Sequence, residues 1–246
     1  MTQLTAAARD FGERRARHLP AARRLRFELA LRVLERFANR DGVRLLDAGC
    51  GEGLFAELVA RRHPEWDVVG VDADPDLLQR ARASADKERV TVSFERGDLT
   101  EDLGDGVFDA VVALECLEEI ERDGEALARL VTALKPGGML LVHVPERDWK
   151  PVLRGSDQRW RHEVRRGYTA DELRVKLESA GAEVLSIAGS SRGTVRVAQE
   201  VRDRIKTSRL SVRLLALPLT AGAVRLERWG VTWGRPRALF AEARKP

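Results

Sequence analysis

Between residues 45 and 72 the chain spells out a strand, a glycine turn, a helix and a second strand that ends in a carboxylate. Leu45-Leu46-Asp47-Ala48 has the apolar character of a buried strand, and Gly49-Cys50-Gly51-Glu52-Gly53 follows it directly. Closely spaced glycines let the chain turn sharply and let its backbone approach a ligand. The helix that comes next directs its N-terminus at that ligand, which favours a carboxylate or phosphate. Val68-Val69-Gly70-Val71-Asp72 is the second strand. A carboxylate at its tip lies across a crevice from the glycine turn, where it can accept hydrogen bonds from both hydroxyls of a ribose. This unit commits the chain to an α/β layer with a crevice for a nucleoside-bearing cofactor.

The same alternation continues. Strands are expected near 43–48, 67–72, 90–95, 108–114 and 138–144, with helices near 53–62, 75–86 and 122–134. Strands alternating with helices imply a mostly parallel sheet covered on both faces. Lys135-Pro136-Gly137-Gly138 stops a helix and leads into a strand. Thr169 with Glu172 predicts a capping box, then a helix ending at Gly181 and a strand over 182–187. The closing strand is expected over 237–243. In front of the sheet, Leu25, Leu29, Val33 and Phe37 repeat every four residues and predict an amphipathic helix over 21–38. The domain reading is therefore a helical cap over 1–40 and one α/β domain over 41–246. Within that domain, 145–168 is an irregular connection, and 190–235 is a helical insert too long for a simple link.

Charge follows these divisions. Residues 1–40 carry a net +6, residues 41–190 a net −11 and residues 191–246 a net +9, for +4 overall. Basic flanks on an acidic core suit an anionic substrate, contact with an anionic membrane surface, or plain solvation of helix faces. The two cysteines, Cys50 and Cys116, have neither metal-ligand spacing nor a disulfide framework. The run over 214–224 falls short of the roughly 20 residues a spanning helix needs, and Pro218 interrupts it. The N-terminus lacks the apolar core of a signal peptide. A cytoplasmic protein is expected, with peripheral membrane contact through its basic flanks left open.

A dinucleotide turn, Gly-x-Gly-x-x-Gly, would need glycine at position 54, which is Leu. Glycines at 49, 51 and 53 preceded by Asp47 instead resemble motif I of class I S-adenosylmethionine-dependent methyltransferases. Gly97-Asp98-Leu99 is similar to the acidic segment that family places near adenine. Phe108 to Leu117 resembles its fourth strand, and Leu134-Lys135-Pro136-Gly137-Gly138 its lead into strand five. The pattern is nearest to the methyltransferase type 11, ubiquinone-biosynthesis-like and natural-product branches. The resemblance implies a Rossmann-like, doubly wound sheet of seven mostly parallel strands with an antiparallel last strand, and S-adenosylmethionine as cofactor. It implies contacts from Asp47, Gly49, Cys50, Gly51, Gly53, Asp72, Ala73, Gly97, Asp98, Leu99, Leu114 and Glu115. It further implies methyl transfer to a small-molecule acceptor, foremost at oxygen, of quinone, sugar, natural-product or lipid-linked type.

Methyl transfer needs alignment and exclusion of water, and an oxygen acceptor gains from a base. His162 is the leading candidate, because the connection after strand five often builds the acceptor site in this family. His143, inside the fifth strand, and Glu119, standing where many relatives carry histidine, are the others. Arg161, Arg165 and Arg166 could clamp a carboxylate or phosphate of the acceptor. No metal site is expected. A helical lid, a homodimer contact and a membrane-interfacial segment compete as readings of 190–235. A nucleic-acid methyltransferase and a non-catalytic S-adenosylmethionine-binding regulator are the alternative functions. Against the first, Leu114-Glu115-Cys116-Leu117 stands where base-methylating enzymes commonly carry an Asp/Asn-Pro-Pro-aromatic element.

Overall fold

The computed structural model describes residues 19–151, 164–204, 222–223, 225–227, 229 and 233–246. Its centre is a seven-stranded sheet: β1 (Arg44–Ala48), β2 (Asp67–Asp72), β3 (Ser93–Arg96), β4 (Phe108–Leu114), β5 (Leu134–Pro145), β6 (Glu183–Ser190) and β7 (Ala238–Arg244). The spatial order is β3-β2-β1-β4-β5-β7-β6, and β7 runs antiparallel to both of its neighbours. The other pairings are parallel. Strand order reverses between β1 and β4, and open α/β sheets bind ligands in the crevice beyond the strand ends at such a switch point.

Helices cover both faces, so the central strands are apolar on both sides instead of alternating. One face packs Leu46, Val111 and Leu140 beneath α4 (Asp123–Ala133) and α5 (Ala170–Ser179), with Leu127, Leu130 and Leu173 buried at the contact. The other packs Leu45, Val112 and Leu141 beneath α1 (Ala21–Leu34), α2 (Leu54–Arg62) and α3 (Pro75–Glu88). Phe27, Leu31 and Leu34 of α1 belong to that same core, so this helix is built into the sheet's covering layer. α6 (Gly193–Arg204) lies on α1 through Val195 against Ala21 and Leu25, with Ala223 beside them. No helix among the described residues is long and apolar enough to cross a membrane.

Element boundaries shift where local chemistry takes over from hydrophobic pattern. The third strand begins at Ser93, not near 90. Arg89 adopts φ 54° at the end of α3, and the Val90 amide turns back to the Ala85 carbonyl, so these residues finish the helix. The fifth strand begins at Leu134, because the turn at Gly137 is held by pairing with Lys245. The Thr169–Glu172 capping box forms as its spacing predicts.

Candidate active site

The glycine turn at the end of β1 is fixed by backbone geometry on one side and left open on the other. The Gly49 and Cys50 amides both donate to the Val71 carbonyl, at 2.8 and 3.0 Å. Gly49 has φ +71°, and a Cβ there would stand 2.5 Å from that of Cys116. Gly53 has φ +73° and would meet the Phe94 ring at 2.5 Å. Gly51 also has positive φ, yet a Cβ on it would meet nothing within 4 Å. Packing dictates the outer two glycines, and the middle one faces open space.

That space is a cavity of about 420 Å³ whose lining includes Asp47, Cys50, Leu114, Glu115 and Glu118. Arg23, Arg26 and Phe27 of α1 line it as well, as does the exposed Glu119. Gly49 and Gly51 contribute to the wall. Asp72 stands behind the turn: one carboxylate oxygen accepts from the Gly51 amide at 2.8 Å and the other from the Asp74 amide at 3.0 Å. Each oxygen keeps further lone-pair capacity for a ligand hydroxyl. Gly53, Asp72, Ala73, Gly97, Asp98 and Leu99 do not line this cavity. Asp98 turns its carboxylate onto the Thr100 amide and hydroxyl, both at 2.8 Å, and Leu99 is a core residue.

Two carboxyls in the wall are unusual. Asp47 is buried, and burial pushes its pKa up to about 7, helped by the nearby charge of Asp72. One of its oxygens has no hydrogen-bond partner. Glu118 is also buried, which raises its carboxyl well above the usual range with Glu115 adding to the effect, and it too has an unpartnered oxygen. Buried polar atoms are normally satisfied. These two acceptors are what an ammonium or hydroxyl donor on a ligand would complete.

A second cavity of about 210 Å³ adjoins the first, sharing Glu115, Arg23 and Arg26 with it. His143, Arg147, Trp149, Arg166 and Arg237 contribute to its wall. Glu115 holds φ +59°, a strained conformation for a residue with a side chain, and its amide donates to the His143 carbonyl at 2.8 Å. The glutamate's carboxylate lies 2.8 Å from His143 Nδ1 and 3.2 Å from the Arg26 guanidinium. Burial alone would raise the Glu115 carboxyl. Arg26, His143 and Arg237 outweigh it and hold the pKa at about 2. A carboxylate only accepts, so Nδ1 carries the hydrogen, while Nε2 sits 2.9 Å from the Ser190 hydroxyl. Burial lowers the pKa of His143 and keeps it neutral. Both ring nitrogens are engaged, which makes His143 a positioning residue for Glu115.

The remaining expected residues separate. Arg165 is committed to the fold: its guanidinium pairs with buried Asp123 at 3.0 Å and donates to the Glu121 carbonyl. Arg166 lines the second cavity. Arg161 and His162 lie outside the described residues. Cys116 donates to the Ala48 carbonyl, and burial pushes its thiol and that of Cys50 up, which favours the protonated thiol at both. Sequence reasoning missed Glu118, Arg26 and Arg237. Glu118 lies in a 3-10 segment (Leu117–Glu119) three residues beyond Glu115, a spacing visible in the sequence. Arg26 falls on the polar face of the predicted first helix. The position of Arg237 depends on β7 entering the middle of the sheet, which leaves no local signal.

A family described as a methyltransferase domain matches residues 22–187. A ubiquinone biosynthesis O-methyltransferase of Bradyrhizobium sp. (strain ORS 278) is 33% identical over 159 residues, which are 59% of this chain and 62% of that protein. One of Rhodopseudomonas palustris (strain BisB5) is 30% identical over 175 residues, 66% of this chain and 68% of that protein. The match thus spans about 62% of the length of the first such relative. Among solved structures, the [4+2]-cyclase SpnF superposes with a TM-score of 0.65 at 28% identity, covering 89% of this chain and 81% of that one. Phosphoethanolamine N-methyltransferase 2 of Haemonchus contortus, in complex with S-adenosyl-L-methionine, also gives 0.65. Its identity is 22%, with 89% of this chain and 52% of that one covered, and it supports the fold.

Proposed function

Because the chain belongs to the methyltransferase-domain family, we propose that it transfers a methyl group from S-adenosylmethionine to a hydroxyl oxygen of a small-molecule acceptor. The fold alone does not assign this reaction, since a [4+2]-cyclase shares it. One observation carries the reading: a cofactor-sized cavity with unsatisfied buried acceptors abuts a second cavity, and the two share Glu115 and Arg26. The relatives named as O-methyltransferases favour oxygen as the acceptor atom.

The residues fit the cofactor. Gly51 leaves room for close backbone approach, and Asp72 keeps acceptor capacity for ribose hydroxyls. The unpartnered oxygens of Asp47 and Glu118 suit a cationic ligand. When bound, S-adenosylmethionine supplies a methyl group on a sulfonium, already joined to a good leaving group. What remains for the protein is alignment and exclusion of water. Glu115, clamped by Arg26 and His143, forms a rigid shared wall that fixes how the acceptor meets the cofactor. His162 and Glu119 are the candidates to take the acceptor's proton. Glu119 lies on the wall of the first cavity, whereas His162 is proposed from its place in the sequence.

The test supplies methyl-labelled S-adenosylmethionine to the protein with separated lipid, polar-metabolite and nucleic-acid fractions of a bacterial extract. Label in a lipid or metabolite product is the expected outcome. Label only in nucleic acid overturns the acceptor class. S-adenosylhomocysteine binding with no labelled fraction favours a non-catalytic binding protein. His162→Ala is expected to reduce turnover at least tenfold with S-adenosylhomocysteine affinity unchanged, and normal turnover removes His162 from the mechanism.

A further inference from the structure

The second cavity gathers positive charge beyond what the fold neutralises. Arg23, Arg26, Arg147, Lys150, Arg166 and Arg237 line it, against the single carboxylate of Glu115. Two of the cations have carboxylate partners: Arg26 pairs with Glu115, and Arg147 with Glu172. Among the described residues, Lys150, Arg166 and Arg237 form no ion pair. Arg237 is the most informative of the three. Its amide is tied to the Ser190 and Ser191 carbonyls at the entry to β7, and its guanidinium lies 4.9 Å from the centre of the Trp149 ring. Backbone and aromatic ring hold it in place, and the carboxylate it acts on, Glu115, is already engaged by Arg26 and His143. Converging like charges beside a low-dielectric wall raises the energy of the empty site, and a ligand of opposite charge would relieve this.

We propose that this cavity seats an anionic head of the acceptor, a carboxylate or phosphate, held by Arg237 and Arg166 with Lys150 contributing charge. Guanidinium groups match both heads through paired hydrogen bonds. The cavity meets the cofactor space at Glu115 and Arg26, so an anion seated there would hold the rest of a small acceptor within reach of the first cavity. The seat stands on its own charge and geometry. Calling its occupant the acceptor rests on the methyltransferase reading. The substrate class that follows is an acid bearing a hydroxyl, such as a hydroxybenzoate or a phosphorylated alcohol.

Calorimetric titration of the S-adenosylhomocysteine-loaded protein with benzoate, and separately with inorganic phosphate, tests this. Binding of at least one anion is expected, weakened tenfold or more in the Arg237→Gln/Arg166→Gln double variant, with S-adenosylhomocysteine affinity unchanged. Preference for benzoate assigns a carboxylate head, and preference for phosphate assigns a phosphoryl head. If the double variant fails to fold, the exposed Arg166→Gln substitution alone should weaken the anion at least threefold. Arg36→Gln, which breaks the ion pair of exposed Arg36 with half-buried Glu242, should leave anion affinity unaltered. No binding by either anion overturns the proposal, as does equal affinity in wild type and variants or equal weakening by Arg36→Gln. Failure of the wild-type protein to take up S-adenosylhomocysteine would strike the methyltransferase reading instead.

Discussion

Asp47 pits the stability of the empty protein against its affinity for a cation. Its carboxyl titrates at about 7 in the folded chain, against an ordinary value of 3.8. The folded state therefore holds the proton more tightly, and its contribution, fully present below the ordinary value, is lost as pH rises through about 7. Asp47→Asn should make the protein more stable than wild type by an amount that grows between pH 5 and pH 8, with an upper bound of about 4 kcal/mol. Urea unfolding at the two pH values measures it, and a pH-independent difference would refute the assignment. The same substitution should weaken S-adenosylmethionine binding. Wild-type affinity should itself fall about tenfold from pH 8 to pH 6, because a cationic ligand favours the ionised form. Glu115 has the opposite sign. Its pKa lies near 2, below the ordinary 4.5, so its contribution is present above that ordinary value and disappears only as pH falls through about 2. Arg26→Met should lift the Glu115 pKa and cost about 1–3 kcal/mol at neutral pH, read by the same unfolding experiment.

At the level of elements, each piece of the site sits on a junction whose geometry is local. The glycine turn separates two roles that substitution can tell apart. Gly49→Ala collides with Cys116 and should cost about 2–3 kcal/mol of stability. Gly51→Ala meets no neighbour and should cost about 1 kcal/mol, with a larger loss of cofactor affinity. Comparing melting with S-adenosylhomocysteine binding for both variants checks this. Thr169→Ala removes the cap of α5 and should cost about 1 kcal/mol without changing cofactor affinity. The strand–turn–helix units were legible in the sequence because apolar runs, glycines and caps act over a few residues. Asp47, Gly49 and Gly51 were candidates on that local pattern and Glu115 through the family resemblance, and all four line the first cavity. His143 was singled out, but its role was not legible, because Ser190 and Glu115 reach it from distant strands. The arginine cluster near 165 illustrates the same limit: Arg165 and Arg166 are neighbours in sequence, yet one braces Asp123 and the other lines a cavity.

Over the whole molecule, the basic flanks noted in the sequence converge on the site. Arg23 and Arg26 arrive from the first helix and Arg237 from the entry to the last strand, on either side of an acidic central region. Composition revealed the imbalance but not the convergence, which requires α1 in the covering layer and β7 inside the sheet. The position of β7 also orders events during synthesis. β6 is complete at Ser190, but the strand that joins it to β5 begins only at Ala238, so residues 191–237 must be made first. Until then β6 has no neighbour, and β5 offers an unpaired edge to any other extended chain. A ribosome-bound chain stalled between Ser190 and Ala238 is thus the species most exposed to misassociation, and chaperone capture should peak over that interval.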